Sequence, residues 1–222
     1  MRGNRSRTAV AVTAVAVFAT LTVPLGAVAQ SAMGLRAGAR NAQLDAAAAT
    51  ADGAVVEFVI GGYFGFGLSD RLALQFEAVY GGRGAETMTF GADAAAETAG
   101  LAMSYIDVPV LLRAGFPTGR VVPSAFVGPY FGFMLSCELT PLDGSTRDCD
   151  GDESLTARFT PRSTDIGLVV GGALDFMLGE SSVFVDARYT TGLLSVEAGD
   201  DPLDARHTGL AVSGGFAFPV GR

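Results

Sequence analysis

In several otherwise apolar segments of this 222-residue chain, the charged side chains are an even number of residues apart. In an extended strand they would therefore share one face. A carboxylate that is removed from water needs a partner, and an arginine can bind it through two parallel hydrogen bonds. We therefore predict an internal network of ion pairs that fills the interior of the fold; the alternative is a polar path for ions. The predicted members are Arg36, Arg40, Glu57, Glu77, Asp107, Arg113, Asp165, Asp175, Asp186 and Arg188.

A second group of oxygen-bearing side chains lies between and just after the two cysteines, where residues 137–154 read CELTPLDGSTRDCDGDES. The spacing of Asp148, Asp150 and Asp152 suits Ca²⁺, which takes about six to eight oxygen ligands. The segment lacks the glycine and the final glutamate of a complete EF-hand loop. Two interpretations stay open: a Ca²⁺ site within residues 138–163, or a solvated acidic loop. No other cofactor is predicted.

The single histidine, His207, raises the question of catalysis. Ser213 follows on the same face of the same segment, but at a strand rise of about 3.3 Å per residue the two would lie about 20 Å apart. That distance is too long for a hydrogen bond, and the chain carries no nucleophile elbow or oxyanion-hole motif. We therefore predict that the protein is not an enzyme, with a lipid-modifying enzyme as one alternative.

Strands of about ten residues would position these side chains. In each run apolar residues alternate with small or polar ones, and the period of two gives a strand two different faces. Val56, Phe58 and Ile60 illustrate the apolar face, and Glu57 and Val59 the opposite one. About ten residues are also enough for a tilted strand to cross the hydrocarbon of a membrane.

Eight such runs are separated by connections of alternating length. The short ones are residues 69–70, 117–120 and 179–182, and the long ones are residues 41–53, 82–100, 138–163 and 197–206. Short turns at one end and long loops at the other are typical of outer-membrane barrels. The prediction is an all-β fold: an eight-stranded antiparallel up-and-down transmembrane β-barrel with four extracellular loops.

Residues 1–29 have the pattern of a signal peptide, which leaves residues 30–222 as the barrel domain. Arg2, Arg5 and Arg7 precede a short apolar stretch, and Ala27-Val28-Ala29 supplies a small-x-small cleavage pattern. Cleavage would change the net charge from 15 − 23 = −8 to 12 − 23 = −11, which argues against nucleic-acid binding. Export to an oxidising compartment favours a disulfide between Cys137 and Cys149.

Three segments carry a resemblance to a known family. Residues 33–44 (MGLRAGARNAQL), 104–116 (SYIDVPVLLRAGF) and 123–135 (PSAFVGPYFGFML) resemble strands of PorT-like, porin-family outer-membrane β-barrel proteins, which are small eight-stranded barrels. The resemblance implies residence in the outer membrane of a Gram-negative-type bacterium. The implied partners are outer-membrane lipid and the barrel-insertion machinery; such barrels commonly end on an aromatic residue, whereas here Phe218 is followed by four more residues.

The predicted function is a structural or binding role with a closed polar lumen, for an external ligand that the sequence does not identify. A narrow porin for ions or small solutes is the first alternative. A soluble lipocalin-like binder would need a mostly polar outer face, whereas the outer face predicted here is rich in phenylalanine, valine and leucine.

Overall fold

The fold is described from a computed structural model. It describes residues 31–46, 51–52, 55–90, 97–142, 144–149, 162–195 and 205–220. The predicted signal peptide, residues 1–29, lies outside this part of the chain. Within it, no helix is long and apolar enough to cross a membrane.

Eight long strands and two short ones make up the described fold. The long strands are β1 (Ser31–Ala46), β3 (Val55–Gly67), β4 (Leu72–Phe90), β5 (Glu97–Gly115), β6 (Val121–Pro141), β8 (Thr164–Leu178), β9 (Ser181–Gly192) and β10 (Ala205–Val220). The short strands are β2 (Ala51–Asp52), which pairs with β4, and β7 (Arg147–Asp148), which pairs with β6.

The long strands close into a barrel. Each pairs with its neighbour along the chain in antiparallel orientation, and β1 closes the ring by pairing with β10 over the whole of both strands, from Ser31 opposite Val220 to Ala46 opposite Ala205. Closure leaves no free edge in the ring, which is the arrangement that allows a sheet to exist in a membrane. The predicted all-β, eight-stranded, antiparallel up-and-down barrel is confirmed.

An apolar belt surrounds the outside of the barrel. Alternate residues point outward along every long strand, and in the lower and central parts they are apolar and many of them large, such as Leu35 at 68% exposure and Phe58 at 60%. Above the belt the outward positions become polar, as at Ser136, Glu138 and Thr140 of β6. This change from apolar to polar outward residues is typical of a lipid-facing band that ends at a water interface.

Inside the barrel, aromatic rings lie over glycines of the neighbouring strand. Tyr130 is directly opposite Gly167 in the register, and a Cβ at Gly167 would lie 2.4 Å from the Tyr130 ring. Three further pairs share the arrangement: Tyr63 with Gly34, Phe126 with Gly171, and Phe184 with Gly215. Glycine is needed at these places because the ring takes the space of a side chain.

The barrel wall is higher on one side than the sequence suggested. The expected loop over residues 82–100 is wrong in its bounds, since β4 continues to Phe90 and β5 begins at Glu97. Likewise β1 extends to Ala46 and β6 to Pro141, into segments expected to be loops. The reason is that the extended parts rise above the apolar belt, where the alternation is reversed: outward residues are polar and inward ones such as Leu101 and Leu139 are apolar and buried.

Candidate functional site: the barrel lumen

The inward side chains form three layers of ion pairs, which we name from the short-turn end upward. The lower layer contains Arg113 of β5 and Asp175 of β8, joined by an ion pair. Arg113 also donates from Nε to Ser124 Oγ at 3.0 Å and from Nη1 to Gln75 Oε1 at 3.3 Å. Every nitrogen of this guanidinium therefore meets an acceptor inside the barrel.

The middle layer is a four-membered cluster of two arginines and two carboxylates. Glu77 Oε2 accepts from Arg36 Nη1 at 3.2 Å and from Arg188 Nη1 at 2.6 Å. Asp186 Oδ1 accepts from Arg36 Nη2 at 3.0 Å and from Arg188 Nε at 3.2 Å. Gln75 donates to Glu77 Oε1 at 2.6 Å and so connects the middle and lower layers.

The upper layer is built around Arg83, which is 3% exposed. Its guanidinium donates to Asp107 Oδ1 and, at 2.5 Å, to Asp165 Oδ2. Arg40 donates to the other oxygen of Asp107 at 3.1 Å, and the Tyr130 hydroxyl donates to Asp165 at 2.6 Å. The Arg83 guanidinium carbon also lies 5.1 Å from the centre of the Tyr130 ring, within cation–π range.

Arg83 is the member of the network that the sequence analysis missed. It lies in the glycine-rich stretch GGRGAE, which was assigned to a loop because its outward positions carry no large apolar residue. The period of two along the strand predicts its position, because Arg83 continues the inward series of Glu77 and Val79 at even spacing.

The network balances in charge and leaves little space. In the part of the chain that the structure describes, the ion-paired lumen residues comprise five arginines and five carboxylates, so that 5 − 5 = 0. Among the described residues, one cavity of about 10 Å³ lies between the middle and upper layers, and another of the same size lies at the top of the upper layer. A cavity of that size holds about one water molecule.

Of the ten predicted network residues, the structure brings nine together and leaves Glu57 aside. Glu57 lies opposite Arg40 in the register of β1 and β3. Its carboxylate instead extends over Gly82, where an added Cβ would lie 2.4 Å from Oε2. The residue is only half-buried and makes no ion pair with any described residue, because it stands near the upper rim of β3, where water can solvate it.

The two cysteines form a disulfide between β6 and the turn after β7, with a Cα–Cα distance of 5.4 Å. Asp148 is exposed beside it, whereas Asp150 and Asp152 lie outside the described residues. Among the residues that the structure does describe, no group of three or more histidines, cysteines and carboxylates could hold a metal. The Ca²⁺ site therefore stays a prediction.

His207 and Ser213 both point into the lumen but take part in different layers. His207 is 4% exposed, and its ring meets the Tyr105 ring edge-on at 5.5 Å between centroids. The Ser213 hydroxyl accepts a hydrogen bond of 2.6 Å from Arg36 in the middle layer. Ser213 is therefore hydrogen-bonded to an arginine of the ion-pair network, and no base among the described residues contacts its hydroxyl.

The comparison with known families and structures found matches of fold. A family model described as an outer membrane protein beta-barrel domain matches residues 28–197. No curated protein matches the chain.

Solved structures of outer-membrane barrels are similar over most of the chain. OprG of Pseudomonas aeruginosa is 13% identical, with 87% of this chain and 97% of that one covered and a TM-score of 0.49. Neisserial surface protein A is 15% identical, with 85% and 99% covered and a TM-score of 0.47. Ail of Yersinia pestis, solved with the heparin analogue sucrose octasulfate, is 12% identical, with 85% and 99% covered and a TM-score of 0.43.

Proposed function

We propose that this protein is an outer-membrane barrel with a closed lumen and a structural or binding role. The chain belongs to the outer membrane protein β-barrel domain family. Its place would be the outer membrane of a Gram-negative-type bacterium, after export by a cleaved signal peptide. Its partners there would be membrane lipid, the barrel-insertion machinery and an external ligand bound by the four long loops.

The observation that carries the proposal is the neutral, three-layered lumen network. A conducting pore needs a continuous aqueous path, but the arginines and carboxylates here are bound to one another across the barrel. Arg36 alone joins β1 to both β4 and β9 through Glu77 and Asp186. An eight-stranded barrel has an interior just wide enough for side chains to fill, and ion pairs fill this one.

A role without catalysis agrees with the same geometry. Ser213, the nearest serine on the strand of the only histidine, is bonded to Arg36. His207 contacts an aromatic ring, and its Nε2 has no hydrogen-bond partner within the described part of the chain. A nucleophile needs an adjacent base that is itself oriented by a third group, and the described lumen offers no such arrangement.

The test is electrical conductance of the purified barrel in planar lipid bilayers, with the wild type and Arg113→Ala compared. We expect no steady channel from the wild type. We also expect none from Arg113→Ala, because the middle and upper layers remain in place above the lost ion pair. The variant should instead unfold more easily, by about 1–3 kcal/mol, since Asp175 loses its charged partner.

Arg71→Ala is the matched control, because Arg71 is an exposed arginine on the short turn between β3 and β4. It should change neither conductance nor stability. A steady wild-type channel would favour the narrow porin instead. A large gain of conductance in Arg113→Ala alone would contradict the idea that ion pairs close the lumen in independent layers.

A further inference from the structure

The unpartnered polar atoms of the described lumen are all nitrogens. Four buried side-chain atoms lack a hydrogen-bond partner there: Arg36 Nε, Arg40 Nε, Arg40 Nη1 and His207 Nε2. No buried carboxylate oxygen shares this condition in the described residues. Three of the four belong to guanidiniums and can only donate. Buried donors without acceptors are costly, so this part of the lumen has guanidinium donors in excess.

These nitrogens belong to residues that line the two small cavities. Arg36 and Arg40 line the cavity between the middle and upper layers, together with Arg188 and Asp107. Arg40 and His207 line the upper cavity together with Arg83. The walls therefore contain four arginines but only one carboxylate, although the network as a whole is neutral.

We propose that the upper cavity, between Arg40, Arg83 and His207, binds a single chloride ion. An anion accepts hydrogen bonds and donates none, so it matches walls that present unpartnered N–H groups. A water molecule also has two hydrogens to donate, and apart from the imidazole of His207 the side chains of this wall offer only threonine hydroxyls as acceptors. The volume of about 10 Å³ corresponds to a single water-sized site, so a monatomic ion fits it better than sulfate, phosphate or a carboxylic acid.

Within the described lumen, only one of the three guanidinium nitrogens of Arg40 reaches a carboxylate. Its Nη2 is bonded to Asp107, which also accepts from Arg83. The carboxylate is thus shared by two guanidiniums, and Arg40 Nε and Nη1 have no acceptor among the described residues. A chloride ion beside Arg40 would supply the missing acceptor. It would also link His207 to the upper layer, with which His207 makes no ion pair.

The test combines diffraction and thermal unfolding of the full mature chain in detergent. Crystals grown with sodium bromide should show an anomalous peak between Arg40 and His207. In solution, sodium chloride should raise the melting temperature in a saturable way relative to sodium gluconate at equal ionic strength, because gluconate is too large for the cavity.

His207→Phe is the decisive variant, since it keeps a ring against Tyr105, removes the imidazole nitrogens and breaks no ion pair. It should lose the bromide peak and most of the chloride-dependent shift. Tyr63→Phe, a lumen change that touches neither cavity, should keep both. Water in place of bromide, a shift unchanged in His207→Phe, or a peak with no shift in solution (binding at crystal concentration only) would each overturn the proposal.

Discussion

Glu77 is the residue on which most of the middle layer depends. It is 1% exposed and accepts hydrogen bonds from Gln75, Arg36 and Arg188. Replacing it with glutamine would leave two buried guanidiniums with one carboxylate between them. Losing one partner of a buried ion pair typically costs about 3–5 kcal/mol.

We therefore expect Glu77→Gln to lower the free energy of unfolding by that amount, measured by urea unfolding of the barrel in lipid vesicles. Glu57→Gln is the matched control, because Glu57 is also a glutamate of a long strand but makes no ion pair with the described residues. It should change the free energy by about 0.5 kcal/mol or less, as substitutions away from such contacts do. Equal effects of the two variants would show that the ion pairs do not stabilise the barrel.

The sequence predicts which residues point inward better than it predicts their partners. Period-two alternation suffices to put Glu77, Asp107 and Arg113 inside, because it depends on one strand at a time. Pairing depends on the register between strands and on which residues lie at equal height. This is why Glu57 is predicted in the network and stays outside it. Arg83, which binds two members of the network, is missed for another reason, because its stretch is predicted to be a loop.

At the scale of the strands, the outward residues define where lipid ends. Val170 lies halfway along β8 and is 53% exposed, whereas Thr140 is an outward residue near the top of β6. An arginine facing lipid costs about 2–4 kcal/mol at the bilayer midplane and about 0–1 kcal/mol near the interface.

We expect Val170→Arg to lower the free energy of unfolding in vesicles by about 2–4 kcal/mol and Thr140→Arg to lower it by about 0–1 kcal/mol. Urea unfolding in lipid vesicles measures both. The same two substitutions examined in detergent micelles should differ less, since a micelle adapts to a charge more easily than a bilayer does. Two equally small losses in vesicles would contradict a membrane around the apolar belt.

The high wall formed by β4, β5 and β6 shows where strand prediction from sequence ends. Below the lipid boundary the pattern is strict, because every outward side chain must be apolar. Above it, residues such as Ser104 and Ser136 still pair across β5 and β6, with their hydroxyls 2.6 Å apart. The alternation is reversed there, with polar residues outward and apolar residues such as Leu139 inward and buried, so a search for apolar outward positions does not find these segments.

At the scale of the whole molecule, two features act together: the ring of eight strands has no edge, and its interior is filled by neutral layers of ion pairs. The cross-strand contacts within the lumen connect strands far apart in sequence, as Arg36 of β1 and Asp186 of β9 do. Such a barrel should open only when many contacts are lost at once, so it should stay folded in conditions that unfold most proteins.

The most direct test of a closed membrane barrel is heat-modifiability of the protein in an outer-membrane fraction. Samples are run on a denaturing gel with and without boiling, after extraction with buffer or with detergent. We predict that detergent alone extracts the protein and that the unboiled band migrates faster, because the barrel stays compact until heated. Extraction by buffer alone, with identical bands before and after boiling, would contradict a closed barrel in the outer membrane.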